Sequence, residues 1–129
     1  MTEPQLRAFF ADYGASFLRT EVEIAAFYSV PCVTARQGTV HLSVTRQAVQ
    51  AFFAEVLRFY RARGSTHGTM RSFEAKSLGA NSIVATVTWA YQGADGQTLW
   101  ESTFTYNLYQ GTEGWKILLQ TMHDGPQPA

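Results

Sequence analysis

Three side chains in this sequence could supply acid–base or anion-binding chemistry: Tyr13, Arg36 and His123. The Tyr13 hydroxyl could donate a hydrogen bond to a ligand oxygen, and the Arg36 guanidinium could bind a carboxylate or an enolate. His123 precedes Asp124, and an imidazole beside a carboxylate could act as a general base. Each side chain also has a purely structural interpretation. We favour this interpretation for Tyr13, as a packing side chain, and for Arg36, as a solvated turn residue. Neighbouring strand residues point to opposite faces, so Asp124 would not orient His123.

The residue counts argue against metal and cofactor chemistry. Cys32 is the single cysteine, and the three histidines show no metal-ligand spacing, so we expect no metal site and no tightly held cofactor. A lone cysteine cannot form an internal disulfide, which is typical of proteins in the reducing cytoplasm. We expect Cys32 to be a buried structural residue.

The charge balance argues against nucleic-acid and membrane partners. Ten basic residues offset ten acidic ones, and no block of like charge occurs. Binding to nucleic acid or to an anionic membrane depends on clustered Lys and Arg side chains. The apolar runs are also too short to span a bilayer. We therefore expect a cytoplasmic protein whose partners are small molecules or other proteins.

The last third of the chain predicts a three-stranded meander. Residues 83–91, 98–109 and 115–123 alternate between apolar and polar side chains, and glycine-bearing turns separate them. The face predicted to meet the core carries Ile83, Ala85, Val87, Trp89, Tyr91, Trp100, Phe104, Tyr106, Leu108, Trp115, Ile117 and Leu119. His123 shares the parity of this face.

The opposite face of the meander is rich in threonine and poor in charge. By parity it also carries Leu118, Gln120 and Met122. An uncharged sheet face that no helix covers indicates a surface for a protein partner. We therefore expect a homodimer that forms through the sheet.

Helical periodicity dominates the first half of the chain. Thr2 and Gln5 predict a capping box ahead of an apolar stripe that includes Tyr13 and Phe17. Gly14 interrupts this helix and indicates a close neighbour, because a mid-helix glycine costs about 1 kcal/mol relative to alanine. A second, short helix should begin at a Thr20 capping box and reach residue 28.

A small hairpin and a third helix complete this half. Residues 33–44 predict two short strands that turn at Gln37-Gly38. Thr45 caps a helix whose apolar stripe includes Phe53. The following strand, residues 66–78, alternates poorly, which indicates a bulge or burial of both faces.

Helices followed by long strands indicate an α+β fold. We expect three N-terminal helices packed on a curled antiparallel sheet, with the small hairpin between helices 2 and 3, so that the whole forms a cone with an open end. One domain should span residues 1–129, with residues 125–129 as a flexible tail.

Several segments together resemble the nuclear-transport-factor-2-like superfamily, which has a cystatin-like cone. They are residues 10–13, the short helix at 21–28, Arg36-Gln37-Gly38, residues 46–53 and Gly114-Trp115-Lys116-Ile117. The superfamily includes ketosteroid-isomerase-like and SnoaL-like polyketide-cyclase-like enzymes as well as non-catalytic binding domains. Tyr13 matches the tyrosine position of the isomerase-like members. Their general-base aspartate has no counterpart, because residues 33–38 contain no carboxylate.

The sequence thus predicts a protein that binds a small apolar or aromatic molecule inside the cone. The expected ligand-binding residues are Tyr13, Phe17, Phe53, Trp89, Trp100 and Tyr106, and the candidate catalytic residues are Tyr13, His123 and Arg36. A cofactor-independent isomerase, cyclase or dehydratase activity would use proton transfer or water addition. The alternative is a non-catalytic dimeric association module that uses the sheet face. A cavity of several hundred Å³ that contains paired polar groups would favour ligand binding, and a filled cone would favour the module.

Overall fold

The computed structural model describes residues 1–124 and contains three helices and six strands. The predicted flexible tail, residues 125–129, lies outside the described residues. The elements follow the order α1 (Glu3–Ser16), α2 (Glu21–Ala25), β1 (Tyr28–Arg36), β2 (Thr39–Ser43), α3 (Arg46–Ala62), β3 (His67–Ser77), β4 (Ser82–Gln92), β5 (Thr98–Gly111) and β6 (Gly114–Met122). The helices and the β1–β2 hairpin have the predicted order, and the α+β fold is confirmed.

All six strands form one sheet in the order β2-β1-β6-β5-β4-β3. Neighbouring strands are antiparallel except β1 and β6, which are parallel. The sheet is therefore mixed rather than purely antiparallel. The parallel pair joins the hairpin to the end of the meander, and this brings the end of β1 beside the second half of β6.

Local capping signals set the helix starts. Thr2 and Gln5 form the predicted capping box, with N···O distances of 2.8 and 3.2 Å. The Thr45 side chain caps α3 by accepting from the Ala48 amide at 3.0 Å. Gln37 and Gly38 both have positive φ, as a two-residue hairpin turn requires.

The second helix is shorter than predicted. Thr20 caps it, but Glu23 forms an ion pair with Arg19 instead of completing a capping box. The helix ends at Ala25 because the following backbone joins the sheet: the Phe27 carbonyl accepts from the Ile117 amide at 2.8 Å. Sheet pairing across the fold therefore overrides the local helical pattern.

The strand register shifts at four places in the described sheet, and two of these shifts, in β3 and β6, affect the alternation that the sequence predicted. In β3 the pairing with β4 skips Arg71, which explains the poor alternation of that segment. In β6 the pairing with β5 moves from Ile117 to Leu119, so Leu118 is an extra residue. The sequence-based assignment of Leu119 to the core and of Gln120 to the opposite face is therefore wrong. Leu119 is 36% exposed and Gln120 is 2% exposed.

The core lies between the helices and the concave face of the sheet. A Cβ built on Gly14 would lie 2.8 Å from the Trp89 ring atom Cζ3. The glycine therefore lets α1 approach the sheet closely, as the sequence indicated. The buried aromatic side chains at this contact include Phe10, Tyr13 and Tyr106.

Candidate functional site

A chain of four polar side chains runs through the interior of the cone. The Tyr13 and Tyr28 hydroxyls are 2.6 Å apart, and the amide nitrogen of Gln120 donates to the Tyr28 hydroxyl at 2.9 Å. Arg36 Nη2 in turn donates to Gln120 Oε1 at 3.2 Å. The chain thus connects the buried Tyr13 hydroxyl to a guanidinium at the end of β1.

The interior tyrosines are held as neutral phenols. Burial raises the pKa of Tyr13, Tyr28 and Tyr106 well above the ordinary value near 10, and it also raises the pKa of Tyr91. The hydroxyls are also paired: Trp89 Nε1 donates to Tyr106 Oη at 2.9 Å. Near neutral pH these groups can donate hydrogen bonds but cannot act as bases.

Side chains nearly fill the space beside this row of hydrogen-bonded polar side chains. We call the small space that remains the inner cavity. Its volume is about 30 Å³, enough for a water molecule but not for a flat organic ligand. Tyr13, Phe17, Phe53, Trp89 and Tyr106, all predicted to bind ligand, line it together with Arg36 and Gln120. The structure therefore brings these five residues together, but as packing partners around a small space.

A larger opening, which we call the mouth cleft, lies between α3 and the ends of β1, β5 and β6. Its volume is about 660 Å³. The residues that line it include Arg36, His41, Ala51, Phe52, Glu55, Val56, Phe59, Tyr60, Trp100 and Met122. Arg36, Val56 and Tyr60 also line the inner cavity, so these three residues separate the two spaces.

Arg36 points into the cone rather than into solvent. Its guanidinium carbon lies 5.3 Å from the centre of the Phe52 ring and 5.6 Å from that of Phe104. The Nε atom is buried and has no hydrogen-bond partner among the described residues. No carboxylate within residues 1–124 lies at ion-pair distance from this side chain. The interpretation of Arg36 as a solvated turn residue is therefore wrong.

Trp100 is the predicted ligand-binding residue that reaches the mouth cleft. Its ring stacks on Tyr91 with centroids 4.9 Å apart and contacts Tyr60 at 5.7 Å. His41 stacks on Phe52 from the other side of the cleft, at 5.2 Å. Aromatic rings thus border the cleft on both sides.

His123 does not belong to this site. It is exposed, and its Nε2 atom lies 2.8 Å from Thr105 Oγ1 on the convex face of the sheet. The bulge at Leu118 reverses the parity of β6 and turns His123 away from the cone. The expectation that it shares the face of Trp115 and Ile117 is wrong, and its assignment as a base inside the cone is wrong with it. His67 lines the inner cavity instead.

Sequence reasoning missed three residues of the site. Gln120 was assigned to the wrong face, because alternation alone does not show a bulge. Tyr28 was assigned to a helix, although it begins β1. Phe52 belongs to the apolar stripe of α3, and the stripe does not show which of its rings faces an opening rather than the core.

The convex face of the sheet differs from the predicted partner surface. Threonine pairs join β4 to β5, with hydroxyls 2.9 Å apart for Thr86 and Thr105. Gln120 and Met122 face the cone instead. The apolar part of the convex face lies on β1, β2 and β6, where strand register groups Val33, Ala35, Val40, Leu42 and Leu119. We call these five residues the outer apolar patch; Val40 is 72% exposed and Leu42 is 58% exposed.

Within residues 1–124, no helix has both the length and the apolar character that a membrane span requires. The same part of the chain contains no cluster of three or more His, Cys, Asp or Glu side chains that could hold a metal ion.

A family model described as "NTF2-like protein (DUF6841)" matches residues 3–125 of the chain. This match confirms the superfamily resemblance predicted from the sequence. The comparison with curated proteins finds no significant match.

Solved structures show the same fold at low sequence identity. A Nostoc punctiforme domain of unknown function with a cystatin-like fold has a TM-score of 0.76 and 18% identity, covering 97% of this chain and 78% of its own. The yeast UBP3-associated protein BRE5 has a TM-score of 0.73 and 15% identity, covering 95% and 97%. A Novosphingobium aromaticivorans protein, proposed to be an aromatic ring hydroxylase, has a TM-score of 0.69 and 14% identity, covering 95% and 87%. These similarities establish the cystatin-like fold and nothing more specific.

Proposed function

We propose that this chain, which belongs to the NTF2-like protein family DUF6841, binds a flat apolar or aromatic small molecule in its mouth cleft. The observation that carries the proposal is an open space of about 660 Å³ bordered by aromatic rings. Small-molecule sites are typically clefts of about 300–1,000 Å³ with mostly apolar linings and a few polar groups.

The nearly filled interior of the cone favours the association module, whereas the open mouth cleft supports ligand binding. The inner cavity, at about 30 Å³, has no room for a flat organic ligand, so we place the ligand in the mouth cleft. Phe52, Phe59 and Trp100 then make the direct contacts, because they line the mouth cleft. Tyr13, Phe17, Phe53, Trp89 and Tyr106 form the packed floor beneath it.

Catalysis would require an acid or a base at the ligand. In the mouth cleft, the side chains that could act on the ligand are Arg36, His41, Glu55 and Tyr60, and Glu55 lies 2.7 Å from Arg58. A cofactor-independent isomerase, cyclase or dehydratase would therefore use hydrogen-bond donors such as Arg36 and Tyr60 rather than a free carboxylate base. Proton transfer or water addition on a carbonyl-bearing ligand is the reaction class that suits such donors.

The test is a titration with the uncharged probe 2-naphthamide, in which calorimetry measures binding. Ala51→Trp should fill the cleft, because Ala51 lines it from an exposed position on α3. Ala62→Trp is the matched control, since Ala62 is also exposed on α3 but lies outside the cleft. We expect binding to the unaltered protein and the control, and loss of binding in Ala51→Trp. Failure of both 2-naphthamide and its charged analogue 2-naphthoate to bind the unaltered protein, or unchanged binding in Ala51→Trp, would refute the proposal.

A second candidate function, dimeric association, follows from the outer apolar patch. Exposed apolar side chains grouped on one sheet face favour burial against another protein, and we propose a second copy of this chain as the partner. Leu42→Asp places a charge in the patch, and Leu18→Asp is the control, because Leu42 and Leu18 are 58% and 59% exposed. Light scattering should give twice the 14.4 kDa chain mass for the unaltered protein and the control, and the monomer mass for Leu42→Asp. A monomeric unaltered protein at micromolar concentration would exclude the dimer.

A further inference from the structure

We propose that the ligand of the mouth cleft is an anion: a flat aromatic or cyclic molecule whose carboxylate binds the guanidinium of Arg36. This inference rests on the proposed function, because it specifies the chemistry of the molecule that occupies the same cleft.

Arg36 has hydrogen-bonding capacity that residues 1–124 do not satisfy. A guanidinium carries five N–H groups, and within the described residues its one acceptor is Gln120 Oε1 at 3.2 Å. Its Nε atom is buried without a partner. A buried donor without an acceptor is costly, and a carboxylate that accepts two parallel N–H bonds is the ligand group that fits a guanidinium best.

Arg36 also differs from the ion-paired arginines of the chain. Arg7, Arg19, Arg58 and Arg71 each lie within ion-pair distance of a glutamate, and all four are more than half exposed. Arg36 is the more buried residue, yet no acid within residues 1–124 pairs with it. Burial of an unpaired charge is unfavourable, so an anionic ligand would supply what the protein does not.

The charged side chains around Arg36 also favour an anionic ligand. The inner cavity is lined by Arg36, Arg61 and His67, with no Asp or Glu among its described lining residues. Glu55 is the acid at the mouth cleft, and it lies 2.7 Å from Arg58, which offsets its charge. The potential at the floor of the cleft therefore favours an anion over a neutral or cationic molecule.

The polar chain of the interior holds Arg36 in position. Gln120 donates to Tyr28 through its amide nitrogen, and this directs its amide oxygen towards Arg36. The rings of Phe52 and Phe104 lie against the guanidinium and limit its rotation. A preorganised donor loses little entropy on binding, so Gln120 and Tyr28 act as positioning residues for the proposed anion site.

The arrangement also defines the rest of the ligand. A carboxylate at Arg36 leaves the body of the molecule between α3 and β5, where Phe59, Tyr60 and Trp100 line the cleft. These rings favour a planar apolar body. The chemical class is therefore an aromatic or cyclic monocarboxylate.

The experiment compares 2-naphthoate with its uncharged analogue 2-naphthamide by calorimetry at constant ionic strength. We expect 2-naphthoate to bind the unaltered protein about tenfold more tightly or better, as expected for one hydrogen-bonded charge pair. Arg36→Met removes the charge but keeps an unbranched apolar stem. It should abolish this preference, so that 2-naphthoate and 2-naphthamide bind Arg36→Met with affinities within about threefold of each other.

Arg7→Met is the matched control. Arg7 also lies over an aromatic ring, 4.7 Å from the centre of Phe73, but it lines neither the inner cavity nor the mouth cleft. It should keep the full preference for 2-naphthoate. Arg36→Lys serves if Arg36→Met does not fold: it keeps the charge but not the planar fork, so the preference should shrink without disappearing.

The outcomes separate this inference from the proposed function. Equal binding of the two probes to the unaltered protein would overturn the anion site and leave ligand binding at the cleft intact. An undiminished preference for 2-naphthoate in Arg36→Met, or in Arg36→Lys where that variant is used, would also overturn it. Failure of both probes to bind would refute the proposed function itself, and the inference with it.

Discussion

The contact between Gly14 and Trp89 gives a sharp test of how α1 packs on the sheet. In Gly14→Ala, the new Cβ would lie 2.8 Å from Cζ3 and 3.1 Å from Cη2 of the Trp89 ring. The ring cannot easily move, because it is 5% exposed and donates to Tyr106 at 2.9 Å. Overpacking of this kind costs about 1–3 kcal/mol, whereas alanine in a helix is better than glycine by about 0.5–1 kcal/mol. We therefore expect a net loss of about 1 kcal/mol in the free energy of unfolding.

A double-mutant cycle in urea isolates this contact. Trp89→Phe removes the ring atoms that the new methyl group would meet, so in that background only the helix preference of alanine should remain. Gly14→Ala should then raise the free energy of unfolding by about 0.5–1 kcal/mol. Gly14→Ala should thus lower the free energy of unfolding when Trp89 is present and raise it in the Trp89→Phe background. The packing argument would be refuted if Gly14→Ala had the same effect in both backgrounds.

Two further predictions concern the interior and the convex face. Burial raises the pKa of Tyr13, Tyr28, Tyr91 and Tyr106. The unfolded chain loses these protons near pH 10 while the folded protein keeps them, so the contribution of these tyrosines to stability should be constant below about pH 10 and fall above it, by about 1.4 kcal/mol per pH unit for each such tyrosine. Phenolate absorbance at 295 nm should accordingly rise for these residues only as the protein unfolds, and their ionisation in the folded state would contradict their burial. His123→Ala should leave binding in the mouth cleft unchanged in calorimetry, because His123 lies on the convex face with Thr105; a loss of binding without a loss of folding would contradict that placement.

Local signals predicted the fold well because their causes are local. The Thr2–Gln5 capping box, the Gln37-Gly38 turn and the Thr45 cap each depend on hydrogen bonds or dihedral angles within four residues. Strand alternation located the meander for the same reason. These features are readable from residue type and spacing alone.

The errors arise where distant parts of the chain meet. The short helix ends at Ala25 because β6 pairs with the segment after it, and spacing within residues 20–28 does not contain that information. The bulge at Leu118 exchanges the faces on which the later side chains of β6 lie. Gln120 therefore points into the cone, and His123 points away from it. One extra residue in a strand moves every later side chain to the opposite face of the sheet. The apolar run Ile117-Leu118-Leu119 does not indicate that a bulge occurs there.

The candidate site was the hardest part to predict. Five of the six predicted ligand residues lie together, but whether they enclose a cavity depends on how completely their rings interlock. Arg36 turns inward because the parallel pairing of β1 with β6 places it beside Gln120. Neither the packing nor this pairing can be read from residue spacing.

A crystal structure of the protein with 2-naphthoate would show directly whether the mouth cleft holds an aromatic carboxylate at Arg36. We predict density for the ring in the mouth cleft, between Phe52 and Trp100, with a carboxylate oxygen about 2.7–2.9 Å from a nitrogen of Arg36. An empty mouth cleft in crystals soaked at a saturating concentration of 2-naphthoate would contradict the proposed site. A 2-naphthoate molecule bound at the outer apolar patch instead would also contradict it.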